Sequence, residues 1–469
     1  MQYIPEKIHF IGIGGAGMSG LAKVLLDQKL DVRGSDINTT PVTDRLCAQG
    51  AVIYIGHAGE NIGDAEMVIY SSAISFDNCE MLAARNKGIP TLHRADLMSL
   101  LMKQQKGLAV AGAHGKTTTS AMLALVLEKC GQDPTILIGG ELTYIGGNAK
   151  HGQGDFLVAE ADESDRSFLK LHPFLAVITN IEDDHLENYG SMENIIHAFR
   201  QFIDKLPPHT GTAVLCYDNR QVISMAKDYE GRVISYALNN QGADYTMRNI
   251  QINALRSSGE VFYQDLPLGL LELTVPGQHN LSNALAVVAV CRCLGLSFPK
   301  IAGCLKHFKG TGRRYQTIGQ VRGITIVDDY AHHPTEIATT LLAARQVHNG
   351  RIIAVFQPHR YTRTIALYKR FGNCFNNADL VLINDIYSAG EKPVAGVTSH
   401  LIVDSVQQNV GERVLYLATQ EETADYLMDI LQAGDLVLTM GAGDVWQIGA
   451  DLVNKLNKLN EPKEIIPLV

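Results

Sequence analysis

Little in this sequence invites a membrane, a nucleic acid or an oxidising compartment. No apolar run reaches the roughly 20 residues that a bilayer span needs; the longest, such as 284–290, fall well short. The opening Met1-Gln2-Tyr3-Ile4-Pro5-Glu6-Lys7 lacks the basic start and apolar stretch of a secretion signal. Basic residues number 40 against 49 acidic ones, a net charge of -9. That disfavours nucleic acid and anionic membranes, which both reward basic surfaces, but leaves room for anionic small molecules held by local basic clusters. The eight cysteines form no CxxC and no Cys/His zinc spacing; the pair nearest in sequence, Cys291 and Cys293, sits among apolar residues. Free thiols in a reducing cytoplasm are the expectation. Disorder is excluded, because 46% of residues are hydrophobic and only 19% charged.

What is present is a rhythm of apolar strand, glycine turn and amphipathic helix, which means parallel α/β architecture. It begins three times in 469 residues, too long a chain for one core. The first stretch has strand-like runs at 7–11, 30–33, 51–54 and 67–70, with a helix reaching residue 30 after the first, and ends at a polar join near 101–106. The second has strands at 107–111, 156–159 and 175–179, an alternating segment at 243–274 that reads as hairpins of a small side sheet, and helices at 280–294 and 300–308. The third follows 309–312, with strands at 324–327, 352–356, 380–383, 413–417 and 436–440. The expected class is α/β in three domains. These are a Rossmann-like domain over 1–105, a central P-loop ATPase-type parallel sheet over 106–309, and a Rossmann-like doubly wound sheet over 310–469.

In such sheets ligands bind beyond the carboxyl ends of the strands, so chemistry is sought there. Gly112-Ala113-His114-Gly115-Lys116-Thr117-Thr118-Thr119 lies between a buried strand and a helix. Backbone N–H groups of such a loop cradle phosphates; Lys116 would reach the β and γ phosphates, and Thr117 would ligate magnesium. Val110 stands where the strict pattern wants glycine, yet Gly-Lys-Thr in this context outweighs a chance turn. Ala159-Glu160-Ala161-Asp162-Glu163-Ser164-Asp165 also follows a strand. Its four carboxylates suit a hard cation, or equally a solvated acidic loop. In Thr179-Asn180-Ile181-Glu182-Asp183-Asp184-His185, His185 is a metal ligand or a charge-paired surface histidine. Gly12-Ile13-Gly14-Gly15-Ala16-Gly17, with Asp36 ending the next strand, fits GxGxxG plus an acid. That motif alone favours NAD and a dehydrogenase, which would not need the second phosphate loop. In the third stretch, Gly312-Arg313-Arg314-Tyr315, Asp328-Asp329-Tyr330-Ala331-His332-His333-Pro334 and Gln357-Pro358-His359-Arg360-Tyr361-Thr362-Arg363 gather histidine and arginine, which points to anion handling. Gly441-Ala442-Gly443-Asp444 reads as a tight strand-to-helix turn.

Together with His279-Asn280-Leu281-Ser282-Asn283, these motifs resemble the Mur ligase family of peptidoglycan synthesis across all three domains. The 356–363 string is similar to the alanine-adding member rather than the tripeptide-recycling one, the nearest alternative. Ala113 and Ala331 replace the family's usual threonine and glycine, small for small. The resemblance implies an ATP-dependent, ADP-forming ligase that joins L-alanine to UDP-N-acetylmuramate through an acyl phosphate. The cofactors would be ATP and Mg2+, and the protein a cytoplasmic monomer or weak homodimer. It also implies roles. Lys116, Glu160, His185, His332, His359 and Arg363 would be catalytic, with Thr117, Glu160 and His185 on magnesium. Gly112 to Thr118, Asn280, Asn283, Arg314 and Asp329 would hold ATP. Gly14, Gly15, Ala16, Gly17, Asp36 and Ser72 would hold the UDP end of the substrate, and Tyr330, His332, His359, Arg360 and Arg363 the amino acid.

Overall fold

The computed structural model describes residues 3–253 and 256–458; the extreme ends of the first and third expected domains therefore lie outside the described residues. Three sheets organise the chain. The first has the order Val52–Ile55, Asp31–Asp36, Lys7–Ile11, Met67–Tyr70, Thr91–His93, every pair parallel. The order reverses at Lys7–Ile11, so a crevice opens beyond its carboxyl end, where residues 12–17 lie.

The central sheet has ten strands. From one edge they run Leu266–Leu273, Arg256–Tyr263, Tyr245–Asn253, Arg232–Ala237, Thr212–Cys216, Leu175–Ile178, Lys106–Ala111, Phe156–Glu160, Thr135–Leu142 and Gly147–Lys150. Its middle is parallel, and Gly147–Lys150 closes one edge antiparallel. The 243–274 segment does form hairpin strands, but not a separate side sheet. Tyr236 and Ala237 pair with Tyr245 and Thr246 and carry the segment into the central sheet. The helix Lys116–Lys129 shows no charged residue between Thr117 and Leu127, and all of those residues are buried. A helix without a charged face belongs inside.

The third sheet runs Gln316–Val321, Ile324–Asp329, Leu436–Met440, Ile352–Phe356, Leu380–Ile383, Val414–Tyr416. Only the first pair is antiparallel. Its strands split residue by residue between two cores. Ile352, Ala354 and Phe356 enter one with Val381, Ile383, Leu436 and Leu438. Ile353 and Val355 enter the other with Leu382 and Val437. Both faces are covered, which is why these strands read as unbroken apolar runs.

The described residues form two compact units. One runs to Thr311 apart from Gln251–Ser257 and Val275–His279; the other holds those two stretches and the chain from Gly312. Apart from the strand residues within 251–257, the first two sheets share the first unit and one continuous core, in which Phe10 and Leu21 cluster with Ala109, Ala159 and Ile178. Among the described residues no helix is long and apolar enough to cross a membrane.

Candidate active site

In the first unit, Lys106–Ala111 ends at Gly112, whose φ of 138° belongs to the region that favours glycine. A side chain there would meet the Thr179 hydroxyl at 2.1 Å. The neighbouring strand end fixes the loop. Asn180 accepts from Ala113 N through its carbonyl (3.2 Å) and from His114 N through Oδ1 (2.8 Å), while Thr179 Oγ1 and Asn180 Nδ2 donate to the His114 carbonyl. Gly115 then starts helix Lys116–Lys129 in a left-handed conformation, without a side-chain cap. A Cβ on Gly115 would stand 2.6 Å from Asn283 Oδ1. The buried Asn280 lies on the same helix, Gln278–Cys293.

Lys116 Nζ donates to the carbonyls of Gly112 (2.6 Å) and Ala113 (3.1 Å) and to Glu163 Oε1 (2.8 Å). Burial works against its charge, but Glu163, Glu160 and Asp162 prevail and raise its pKa above the ordinary value. Burial pushes Glu163 upward and Asp162 adds to it, with Lys116 pulling the other way. Thr117 Oγ1 lies 3.0 Å from both carboxylate oxygens of Glu160, and Gly139 N donates to one of them. A hydroxyl and a carboxylate converging over a glycine strand form a hard oxygen set that fits magnesium. Thr118 is buried in the helix's first turn. His185 has a positive φ of 60°, stands 3.4 Å from Asp184, and its charge bears on Glu163. His114 Nε2 is 3.2 Å from Glu182.

The 12–17 turn is built differently. Asp36 Oδ2 accepts from Gly14 N at 2.8 Å, so the turn carries its own carboxylate. Gly15 starts helix Ala16–Asp27 with no side-chain cap. A Cβ on Gly17 would lie 3.3 Å from an Arg94 nitrogen. Arg94 in turn donates to Asp162 (2.8 Å) and Asp165 (3.3 Å), and Ser72 Oγ donates to Asp165 at 2.5 Å.

In the second unit, Asp329 is buried at a strand's carboxyl end and accepts from Tyr315 N (2.8 Å) and Ala331 N (2.7 Å). Burial pushes its carboxyl up to about 6 against the opposing pull of Arg314. Arg313 and Arg314 both lie over the Tyr330 ring. Arg313 also bonds Asp328 and the carbonyls of Gly441 and Gly443, which locks the 441–444 turn and confirms its structural character. His332 Nδ1 is 3.0 Å from the Tyr330 carbonyl, and the His332 and His359 rings are 5.9 Å apart. His359 stacks on Tyr387, and its Nδ1 accepts from Arg363 at 3.2 Å. Burial first, then His332, Arg363, Arg360 and Arg313, depress its pKa to about 3. Arg360 sits at φ 73° with an exposed side chain; its N–H bonds the Tyr387 carbonyl.

Family models match the chain in three consecutive stretches: the Mur ligase family catalytic domain over residues 7–106, the Mur ligase middle domain over 110–291, and the Mur ligase glutamate ligase domain over 313–443. The chain belongs to the Mur ligase family. Among its relatives, the UDP-N-acetylmuramate--L-alanine ligase of Pelotomaculum thermopropionicum is 56% identical over 97% of this chain and 98% of that protein. The one from Desulforamulus reducens is 53% identical over 98% and 99%. The crystal structure of the UDP-N-acetylmuramate-alanine ligase from Thermotoga maritima superposes with a TM-score of 0.82 at 30% identity, covering 97% and 99% of the two chains.

In this Mur ligase, sequence reading missed Arg94. No motif surrounds it, and its carboxylate partners lie 68 and 71 positions away. Gln357 opens the string whose histidine and arginines point to anion handling. Its side chain holds the 441–444 turn, donating to Asp444 Oδ1 at 2.8 Å and accepting from the Asp444 and Val445 N–H groups.

Proposed function

We propose that this Mur ligase joins L-alanine to UDP-N-acetylmuramate with ATP, giving ADP and phosphate. One observation carries the reading: Lys116 Nζ is held at the mouth of a glycine loop by the Gly112 and Ala113 carbonyls and Glu163, in a family whose relatives at 56% and 53% identity bear that name.

A carboxylate resists amines because its leaving group is an oxide; phosphorylation by ATP supplies a better one. The muramoyl carboxylate attacks the γ phosphate, and the amine of alanine then displaces phosphate from the acyl carbon. Two anions must meet in the first step, so Lys116 shifts from Glu163 to phosphate oxygens and offsets their charge. The 112–118 loop binds the phosphates. Asn280 and Asn283 are assigned to adenine, and Arg314 and Asp329 to nucleotide binding, as the family resemblance implies. Thr117, Glu160 and His185 would hold Mg2+, which would supply charge screening for the phosphates. Gly14, Gly15, Ala16, Gly17, Asp36 and Ser72 take the UDP end. Arg363 pairs with alanine's carboxylate, with Tyr330 and Arg360 beside it. A histidine with a pKa near 3 is too weak a base to take a proton from an ammonium, so His359 orients Arg363. His332 donates Nδ1–H to the Tyr330 carbonyl, which fixes the orientation of its ring on the amino-acid side. The domains carrying these roles are 1–105, 106–309 and 310–469.

ADP release, measured with each component omitted in turn, tests the reading. Turnover is expected only with ATP, Mg2+, UDP-N-acetylmuramate and L-alanine together. Full-rate ADP release without the muramate substrate would sink it. Preference for a tripeptide over L-alanine would favour the recycling activity, and tight calorimetric binding of NAD with none of the UDP-sugar would reassign the 12–17 turn.

A further inference from the structure

The cysteine pair nearest in sequence is not the one that meets in space. Cys291 is buried, and Cys293 points its thiol at Thr212 Oγ1, 3.9 Å away. The sulfurs of Cys130 and Cys304, 174 positions apart, lie 3.8 Å from each other. Cys130 caps the carboxyl end of helix Lys116–Lys129, and Cys304 sits within helix Phe298–Leu305. Both are partly open to solvent, so a small reagent can reach them. Their sulfurs are in van der Waals contact, and a bond needs them at about 2.05 Å, a shift of under an ångström by each.

We propose that Cys130 and Cys304 form a redox-modification site that takes a small-molecule disulfide as its oxidant. One thiolate attacks a sulfur of the disulfide, whose S–S bond breaks, and half of the reagent leaves as thiolate while a mixed disulfide forms. The second cysteine's thiolate attacks the protein sulfur of that mixed disulfide and expels the other half. The two thiol protons end on the two released thiols; the cysteine pair is oxidised and the reagent reduced. Contact between the sulfurs favours this second attack over a lasting mixed disulfide, since the resolving thiol is already in place. Burial, then Cys130, push the Cys304 thiol up to about 11. Each cysteine acts once as nucleophile in either order, so the reaction is slow at neutral pH and faster in alkali. The product ties the far end of the helix that begins at Lys116 to helix Phe298–Leu305.

The test uses the full chain with the exposed Cys47 and Cys79 changed to serine, which leaves six thiols of the original eight. It is incubated with oxidised glutathione, alkylated, and mapped by mass spectrometry without reduction. The expected result is loss of two thiols and two hydrogens in a single 130–304 cross-link, formed faster in alkali and reversed by dithiothreitol. Cys130→Ser and Cys304→Ser each abolish that cross-link. Six thiols surviving prolonged incubation, glutathione persisting on one cysteine without closure, or a cross-link at 291–293 instead would each overturn the proposal.

Discussion

Lys116 and His359 are both partly buried among ionisable neighbours, yet one is held charged and the other neutral. Burial favours loss of the proton in each case and is the largest influence on both. The sign of the neighbours decides the outcome. Around Lys116 stand Glu163, Glu160 and Asp162, which override burial. Around His359 stand His332, Arg363, Arg360 and Arg313, which reinforce it. One region stores a cation by surrounding it with acids. The other tolerates crowded arginines by letting a histidine give up its charge and accept a hydrogen bond. A motif gives residue types; only the fold gives the company that sets protonation.

The sharpest way to break this comparison is Lys116→Ala. Losing one preorganised charge contact at phosphoryl transfer costs about 3 kcal/mol, at least a hundredfold in turnover. Calorimetric affinity for the UDP-sugar should hold, because the 12–17 turn has its own donors; near-normal turnover would remove Lys116 from the chemistry.

On the other side, Arg363→Ala removes the partner that His359 accepts from. Losing one side of a desolvated charge pair costs roughly 2–5 kcal/mol, so the KM for alanine should rise at least tenfold. The KM values for ATP and the muramate substrate should move far less. An equal rise in all three would make Arg363 a structural residue.

The smallest effect sharpens the contrast through pH. The folded pKa of His359 is depressed, so its contribution to stability is present above the unfolded value near 6.5 and lost as pH falls toward 3. The slope for one such group is roughly 1.4 kcal/mol per pH unit. The folded pKa of Lys116 is raised, so its contribution is present below the unfolded value and lost only as alkaline pH passes the folded one. Urea midpoints at pH 7 and pH 5 should therefore fall more for the natural chain than for His359→Gln. Equal losses would mean that His359 is not held neutral.

Much of this was legible in the sequence because chemistry follows strands. Glycine, acid and histidine clusters after apolar runs put Gly112, Glu160, Asp329 and His359 at strand ends. The strands at 67–70, 352–356, 380–383 and 436–440 were read to the residue. The unread part has physical causes. Thr135–Leu142 carries Gly139-Gly140, which reads as a turn, yet there the two glycines let Glu160 and Thr117 approach closely. Gln316–Val321 is a half-polar antiparallel edge with a register shift at Gly319, so it has no apolar run to notice. Arg94 and the Cys130–Cys304 contact depend on long-range pairings that no local pattern announces.

The phosphate loop is also a late event in synthesis. Its strand, Lys106–Ala111, is flanked by Phe156–Glu160 and Leu175–Ile178, both made afterwards. The loop's own tether, Asn180, emerges 66 positions after His114. At about 5–20 residues per second, a nascent chain spends several seconds with this strand unpaired on both edges. An unpaired apolar strand is a template for wrong partners, so the segment that gives the enzyme its nucleotide site is also where a growing chain is most exposed to misassembly.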